Sequence, residues 1–126
     1  MFFTEEGKIV FNKSGASEDH FFEYISDPNK PVPYSEDIKT VFTPRKYMAD
    51  DQRFASRRPD VLTLTSDVLD EDLLLAGEIT ARLKVATSGT AGDFIVKLID
   101  VYPPDHPVYK LIPSHIILGG YQQLVR

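Results

Sequence analysis

The chain has 126 residues, no cysteine and a net charge of −5 at neutral pH. Its length and its hydrophobic fraction of 42% suit a single domain with one core, and the missing cysteines exclude disulfides and thiolate metal ligands. The negative charge does not attract phosphates, so we expect no nucleic-acid partner, and no apolar run reaches the roughly 18 residues that span a membrane.

The first strand signals lie near the N-terminus. Residues 8–11 (KIVF) combine β-branched and aromatic side chains and predict a short strand. The polar residues 12–15 predict the turn that closes this strand, and the aromatic residues 21–25 predict a second strand. Three prolines within residues 26–34 exclude a helix and a central strand, so that segment should lie extended over a surface.

The middle of the chain changes from an irregular segment to clear strands. Residues 35–58 lack a hydrophobic period and predict a long ordered connection, with a short helical turn near residues 46–51. Residues 61–65 alternate between apolar and polar side chains and predict a strand. Residues 79–85 (ITARLKV) alternate strictly, which is typical of a half-buried antiparallel strand.

The last third of the chain contains the most apolar strand. Residues 87–92 predict a turn, and residues 93–102 are apolar on nearly both faces, which indicates a central strand. Residues 116–118 and 121–125 supply at most two more strands. No segment holds a sustained helical period, and strands separated by turns favour a jelly roll or β-sandwich over a parallel α/β sheet. We therefore predict an all-β fold.

The sequence contains no recognisable catalytic or metal-binding motif. No serine stands in Gly-x-Ser-x-Gly, and Ser88 before Gly89, the nearest approach, is explained more simply as part of a turn. The three histidines lack the spacing of metal ligands, and solvated loop histidines are the simpler interpretation. They are His20, His106 and His115. We therefore assign no catalytic residue, no metal site and no cofactor, and we leave the substrate-binding residues unassigned.

The remaining charged and aromatic candidates also have structural explanations. The acidic residues 50–51 and 70–72 lack the spacing of a calcium loop, which favours charged loop surfaces. Lys97 and Asp100 interrupt an apolar strand, where a structural ion pair or a domain contact is favoured over catalysis. Tyr102, with Pro103 and the tyrosines at 24 and 34, is consistent with an aromatic contact patch and equally with core packing.

Several segments, taken in their order along the chain, resemble one family of enzymes. They are DDQRFA (residues 50–55), RPDVL (58–62), DFIVKLIDVYP (93–103) and GGYQ (119–122), with YISDP (24–28) and PVPY (31–34) in support. This set resembles the C-terminal domain of the α-amino-acid ester hydrolases, whose wider group includes cocaine esterases, X-Pro dipeptidyl-peptidases and glutaryl cephalosporin acylases. The stretch from 105 to 118 departs from this pattern, because it looks longer than the family's usual loop.

The resemblance implies a domain without an active site of its own. In such enzymes an α/β-hydrolase domain carries the Ser-Asp-His triad, a helical cap covers it, and a galactose-binding-like jelly roll packs on both and helps to shape the substrate pocket. No triad member or oxyanion-hole donor of the family corresponds to a residue of this sequence. We therefore expect residues 1–126 to form a single domain, the N-terminal part of that β-sandwich, in a serine hydrolase acting on α-amino-acid esters, X-Pro peptides or related amides.

Other classes of function remain open at this stage. A jelly roll can bind carbohydrate or another ligand through aromatic side chains, although the chain has no tryptophan. The run before Arg126 has no polar closing segment, so we expect an incomplete sheet there, with an open edge that could pair with a second copy. A self-contained enzyme is the least favoured alternative, because no nucleophile–base pair is recognisable.

The sequence leaves the cellular compartment open. Two phenylalanines near the N-terminus are followed by Glu5 and Glu6, so the segment lacks the basic and long apolar regions of a signal peptide. The absence of cysteine fits a reducing cytosol and a bacterial periplasm equally well. The resemblance is compatible with a secreted or periplasmic bacterial parent, and we expect no membrane partner.

Overall fold

The computed structural model describes residues 1–13, 20–39, 41–42 and 45–125. Its regular elements are four short strands and two short helical turns: β1 (Phe2–Phe3), β2 (Ile9–Val10), a 3-10 turn (Arg45–Met48), α1 (Arg53–Ser56), β3 (Ile99–Val101) and β4 (Gln122–Leu124). The strands form two antiparallel sheets of two strands each, β1 with β2 and β3 with β4. The chain is therefore all-β, as the sequence predicts.

The N-terminal sheet is a hairpin that a distant segment extends. Phe2 pairs with Val10 and Phe3 with Ile9, across a turn in which Gly7 has a φ of +77°. The N–H of Ile9 donates to the carbonyl oxygen of Thr65 at 2.8 Å, so the predicted strands at 8–11 and 61–65 meet here. The turn predicted at 12–15 lies partly outside the described residues, because 14 and 15 are not among them.

The C-terminal sheet joins the two segments that the sequence marks at 93–102 and 121–125. Ile99 pairs with Leu124, and Val101 pairs with Gln122. The ladder continues beyond both ends of β3, because the N–H of Tyr102 donates to Tyr121 and the N–H of Val125 donates to Leu98. The strand predicted at 93–102 is thus confirmed over its last residues, but in this sheet of two strands it is not central.

Other predicted elements differ from the structure. The helical turn expected near residues 46–51 begins one residue earlier, at Arg45. The helix α1 is not predicted from the sequence. Residues 21–25 and 79–85 belong to no ladder with any described residue, although both predict strands. Alternation of side chains predicts how a strand is buried, but a ladder also requires a partner strand alongside it.

The described residues bury very little apolar surface. Only Ala55 and Leu118, at 7% and 8% exposure, are buried hydrophobic residues among those described. The accessible surface is 11177 Å², whereas a compact monomer of this mass exposes about 6,800 Å². In the described ranges, no helix is long and apolar enough to cross a membrane. The described residues therefore fold around two small sheets and do not enclose a hydrophobic core.

The turn that leads into β4 depends on a glycine that has no room for a side chain. A Cβ added at Gly119 would overlap the carbonyl oxygen of Pro104, whereas a Cβ at Gly89 meets its nearest atom, the Thr87 hydroxyl oxygen, at 3.7 Å. We expect Gly119→Ala to destabilise the β3–β4 sheet by about 1–3 kcal/mol, the usual range for overpacking. Hydrogen exchange at the amides of β4 measures this, with Gly89→Ala as the control. Equal exchange rates in the two variants would show that the turn tolerates a side chain.

Candidate functional site

Hydrogen bonds form a junction between residues 48–53 and the strand β4. The N–H of Gln52 donates to the carbonyl oxygen of Gln122 at 3.0 Å. In the opposite direction, the N–H of Gln122 donates to Oδ1 of Asp51 at 3.3 Å. We call this region the Asp51 junction and define it by Asp51, Gln52, Arg53, Tyr121 and Gln122. It attaches an irregular segment to the edge of the C-terminal sheet.

Arg53 closes the Asp51 junction through a charged pair. Its Nε donates to Oδ2 of Asp51 at 2.6 Å, and a second guanidinium nitrogen forms an ion pair with the same oxygen. The backbone N–H of Arg53 donates to Oδ1 of Asp51 at 3.1 Å. The guanidinium also reaches the carbonyl oxygen of Gly119 at 3.5 Å. One carboxylate and one guanidinium therefore connect α1 to the turn before β4.

Gln52 is the most buried polar side chain of the junction, at 1% exposure. Its amide nitrogen donates to the carbonyl oxygen of Asp50 at 2.8 Å, and its amide oxygen accepts a hydrogen bond from Nζ of Lys97 at 2.7 Å. The Lys97 amine also lies 5.6 Å from the centre of the Phe54 ring, within the range of a cation–π contact. Lys97 is therefore held by a neutral amide and an aromatic ring and forms no ion pair with a described residue, while the domain contact, the other expectation from the sequence, stays a prediction.

Two further hydrogen bonds attach the 3-10 turn to the same sheet. The hydroxyl of Tyr121 donates to the carbonyl oxygen of Ala49, and the amide nitrogen of the Gln123 side chain donates to the carbonyl oxygen of Met48 at 3.5 Å. Asp50 is buried and lies 3.6 Å from the amine of Lys46. The acidic residues 50–51, which the sequence places on a charged loop surface, are thus buried and half-buried, and Asp51 makes a tertiary contact to β4.

The junction changes the acid–base properties of three side chains. Burial acts to raise the pKa of Asp51, but the hydrogen bonds from Arg53 and from the N–H of Gln122 outweigh it and leave this pKa below its ordinary value. Burial lowers the pKa of Lys97, because desolvation disfavours the charged amine. Burial also raises the pKa of Tyr121, and the nearby carboxylate of Asp51 adds to the effect.

A row of aromatic rings lies beside the junction. The rings of Tyr102 and His106 are 4.6 Å apart between centroids, and the Tyr102–Tyr121 and His106–Tyr109 pairs are each 6.0 Å apart. This aromatic row, Tyr121–Tyr102–His106–Tyr109, runs from the junction to an exposed Tyr109. His106 is accordingly a half-buried packing residue and not a solvated loop histidine. Tyr34 lies elsewhere, against Tyr47.

The other candidates from the sequence lie in exposed or packing positions among the described residues. Ser88 lies in an exposed bend, where the Thr87 hydroxyl accepts the N–H of Gly89 at 3.1 Å. His20 packs on Phe22, at 5.0 Å between ring centroids. No group of three or more histidine, aspartate or glutamate side chains in the described ranges could hold a metal ion. The acidic residues 70–72 are exposed.

Sequence reasoning missed the roles of Gln52 and Arg53. Both lie in the segment DDQRFA, which the sequence marks only through its resemblance to a family. A buried glutamine beside a charged pair has no periodic signal, because the amine that its side chain binds, that of Lys97, is 45 residues away along the chain. The only available indication was the clustering of two acids and an arginine before a short apolar pair.

Most of the chain matches a known protein family. A family model described as the X-Pro dipeptidyl-peptidase C-terminal non-catalytic domain matches residues 29–125. The fold and this match together define an accessory domain of a hydrolase. The chain belongs to the family of X-Pro dipeptidyl-peptidase C-terminal non-catalytic domains, in agreement with the resemblance of its sequence segments.

A curated relative extends this comparison. The chain is 38% identical over 100 residues to the cocaine esterase of Rhodococcus sp. (strain MB1 Bresler). The alignment covers 79% of this chain and 17% of that esterase, so the chain spans about a sixth of the length of its relative. No solved structure matches the chain. The segments DDQRFA, RPDVL and GGYQ all lie within the range of the family match.

Replacing Asp51 by asparagine should loosen β4. Asp51→Asn removes the charge that holds Arg53 and weakens the acceptor for the Gln122 N–H, which we expect to cost about 1–3 kcal/mol. Asp60→Asn is a matched control, because Asp60 also pairs with an arginine two residues away, at 2.6 Å, but accepts no hydrogen bond from a distant segment among the described residues. Hydrogen exchange at the β4 amides measures the difference. Equal protection in both variants would contradict a structural role for the junction.

The same carboxylate should make the sheet sensitive to acid. Because the folded pKa of Asp51 lies below its ordinary value of 3.8, its contribution is complete above that value and disappears as the pH falls through the folded pKa. The difference in β4 protection between wild type and Asp51→Asn should therefore stay constant down to about pH 4 and then shrink. Asp60, whose pKa is also lowered by its arginine, is present in both proteins and cancels. A difference that persists in strong acid would contradict the assignment.

Proposed function

We propose that this chain is the accessory domain of a serine hydrolase that carries out acyl transfer on α-amino-acid esters, X-Pro peptides or related amides. Residues 1–126 form the N-terminal part of its C-terminal jelly roll. The domain packs on the α/β-hydrolase domain and its cap, and it helps to shape the substrate pocket. The catalytic serine, histidine and acid belong to the hydrolase domain, not to this chain.

The chemistry shared by the family description and the relative supports acyl transfer. A peptidase that cleaves after proline and an esterase that cleaves cocaine both act at a carbonyl carbon, in one case of an amide and in the other of an ester. A serine nucleophile serves both reactions through an acyl-enzyme intermediate. The sequence of this chain holds no Gly-x-Ser-x-Gly motif for such a serine. Its role in the reaction is therefore indirect.

The observation that carries the proposal is the uncovered apolar surface. The accessible surface of 11177 Å² exceeds that of a compact monomer of the same mass by about 4,400 Å². An excess of this size falls in the range of permanent interfaces, which bury about 2,000–5,000 Å², and lies well above that of transient contacts. Side chains such as Leu111, at 97% exposure, are the kind that a permanent contact covers.

The Asp51 junction gives this domain a fixed element near its apolar surface. Asp51 and Arg53 tie α1 to the turn before β4, and the aromatic row extends from that turn to the exposed ring of Tyr109. A rigid support of this kind suits a domain that positions a pocket wall on its neighbour. The stretch 105–118, which the sequence marks as longer than usual for the family, includes two rings of the row.

The substitution Leu111→Arg tests this proposal in two contexts. In the isolated chain Leu111 is solvent-exposed, so we expect no change in stability. In the complete hydrolase the same leucine should be buried, and its replacement should lower the free energy of unfolding by about 2–3 kcal/mol. Urea unfolding of both proteins measures the two effects, with the neighbouring exposed substitution Lys110→Glu as the control.

The second measurement is the rate at which each protein hydrolyses 4-nitrophenyl butyrate and alanyl-prolyl-4-nitroanilide. The complete gene product should hydrolyse one or both probes, and the isolated chain neither, because it has no nucleophile–base pair. Turnover by the isolated chain would overturn the accessory role, and so would a complete gene product without hydrolase activity. Equal effects of Leu111→Arg in both contexts would contradict the proposed contact, whatever the activity. Selective binding of the isolated chain to glycans would favour the carbohydrate-binding alternative.

A further inference from the structure

Lys97 is partly removed from water and lacks an acidic partner. Its side chain is half-buried on the segment that leads into β3, whereas Lys84 and Lys110 are exposed. No ion pair joins Lys97 to any residue that the structure describes. An amine that loses water without gaining an anion is poorly compensated for the loss. The charged form of this amine is therefore less favoured than that of an exposed lysine.

The two groups that contact the Lys97 amine do not replace an anion. One is the neutral amide oxygen of Gln52, which accepts a hydrogen bond from Nζ at 2.7 Å. The other is the ring of Phe54, whose centre lies 5.6 Å from Nζ. Both attract a cation more weakly than a carboxylate at the same place would. Burial accordingly lowers the pKa of Lys97.

Lys8 shows the opposite situation. Its Nζ lies 2.8 Å from Oδ1 of Asp67, and this hydrogen bond raises the pKa of Lys8. An ammonium group has no lone pair, so a lysine must lose its proton before it can attack a carbonyl carbon, and desolvation is one way in which proteins activate such amines. The geometry around Lys97 supplies this activation, and the geometry around Lys8 opposes it.

We propose that Lys97 is an acylation site, the lysine of this chain that reacts fastest with activated carboxylic esters. The neutral amine nitrogen attacks the ester carbonyl carbon, a carbon–nitrogen bond forms, and the carbon–oxygen bond to the leaving group breaks. The leaving group departs as an alcohol, which takes up the proton that the nitrogen gives up. The product is a stable amide, so the amine reacts once and no turnover results. The inference does not depend on the function proposed above.

The position of Lys97 suits the neutral product of this reaction. Acylation removes the charge that burial disfavours, and the amide keeps one N–H that can still donate to the oxygen of Gln52. The cation–π contact with Phe54 is lost. The backbone hydrogen bond from Gln52 to Gln122 does not involve the lysine, so the Asp51 junction should persist in the modified chain.

Competitive labelling of the full chain tests the proposal. Treatment with 4-nitrophenyl acetate in mildly alkaline solution, followed by peptide mass spectrometry, measures the acetylation rate of each lysine. We expect Lys97 to react roughly threefold or more faster than the exposed Lys84 and Lys110. Its rate should also level off at a lower pH than the rate of Lys84. A rate at Lys97 no higher than at the exposed lysines, or an identical pH profile, would overturn the proposal.

The variant Gln52→Glu tests the physical cause. It places a carboxylate beside the Lys97 amine, which favours the ammonium form and should slow acetylation at Lys97 roughly threefold or more. Gln123→Glu is the matched control, because its side chain donates to the carbonyl oxygens of Met48 and Leu124 instead. Hydrogen exchange at the β4 amides verifies folding, and the comparison among wild-type lysines needs neither variant. Unchanged acetylation at Lys97 in a folded Gln52→Glu chain would contradict the proposal.

Discussion

The carboxylate of Asp51 is the group on which the ordered part of this chain depends. It accepts the N–H of Gln122 and holds the guanidinium of Arg53, which in turn reaches the carbonyl oxygen of Gly119. Two segments that are distant in the sequence, 71 residues apart at Asp51 and Gln122, therefore meet at one charged side chain. Two strands of three residues each would be marginal alone, because an isolated hairpin gains little from its own ladder. The junction adds the polar contacts that hold the turn and both strands in register.

Around this junction the described residues expose far more apolar surface than they bury. This exposed apolar surface is the structural basis of the proposed function. Conformational entropy opposes the ordering of each residue, and burial of apolar side chains is the main term that offsets it. A domain whose buried hydrophobic residues are essentially Ala55 and Leu118, among the residues described, must obtain the rest of its stabilisation from contacts outside itself. The family to which the chain belongs, the non-catalytic C-terminal domains of a larger hydrolase, is consistent with such contacts.

The sequence predicted the parts of this fold that local patterns determine. Residues 8–11 and 121–125 were recognisable as strands because β-branched and aromatic side chains next to glycine turns have few other conformations open to them. Residues 79–85 predicted a strand equally well, but the pattern contains no information about whether a partner strand lies alongside. The junction could not be predicted at all, because the Gln122 N–H and the Asp51 carboxylate are separated by 71 residues and no periodicity links them. The resemblance of DDQRFA to the C-terminal domain of the α-amino-acid ester hydrolases marks this segment, but only the structure shows which contacts its residues make.

Small-angle X-ray scattering from the isolated chain, at a concentration where it is monomeric, tests the central claim most directly. A compact domain of this length has a radius of gyration of about 14 Å. A chain that leaves its apolar surface for the rest of the jelly roll and the hydrolase domain to cover should have a clearly larger radius. A radius close to the compact value for the isolated chain would mean that the domain closes its own core, and it would contradict the account.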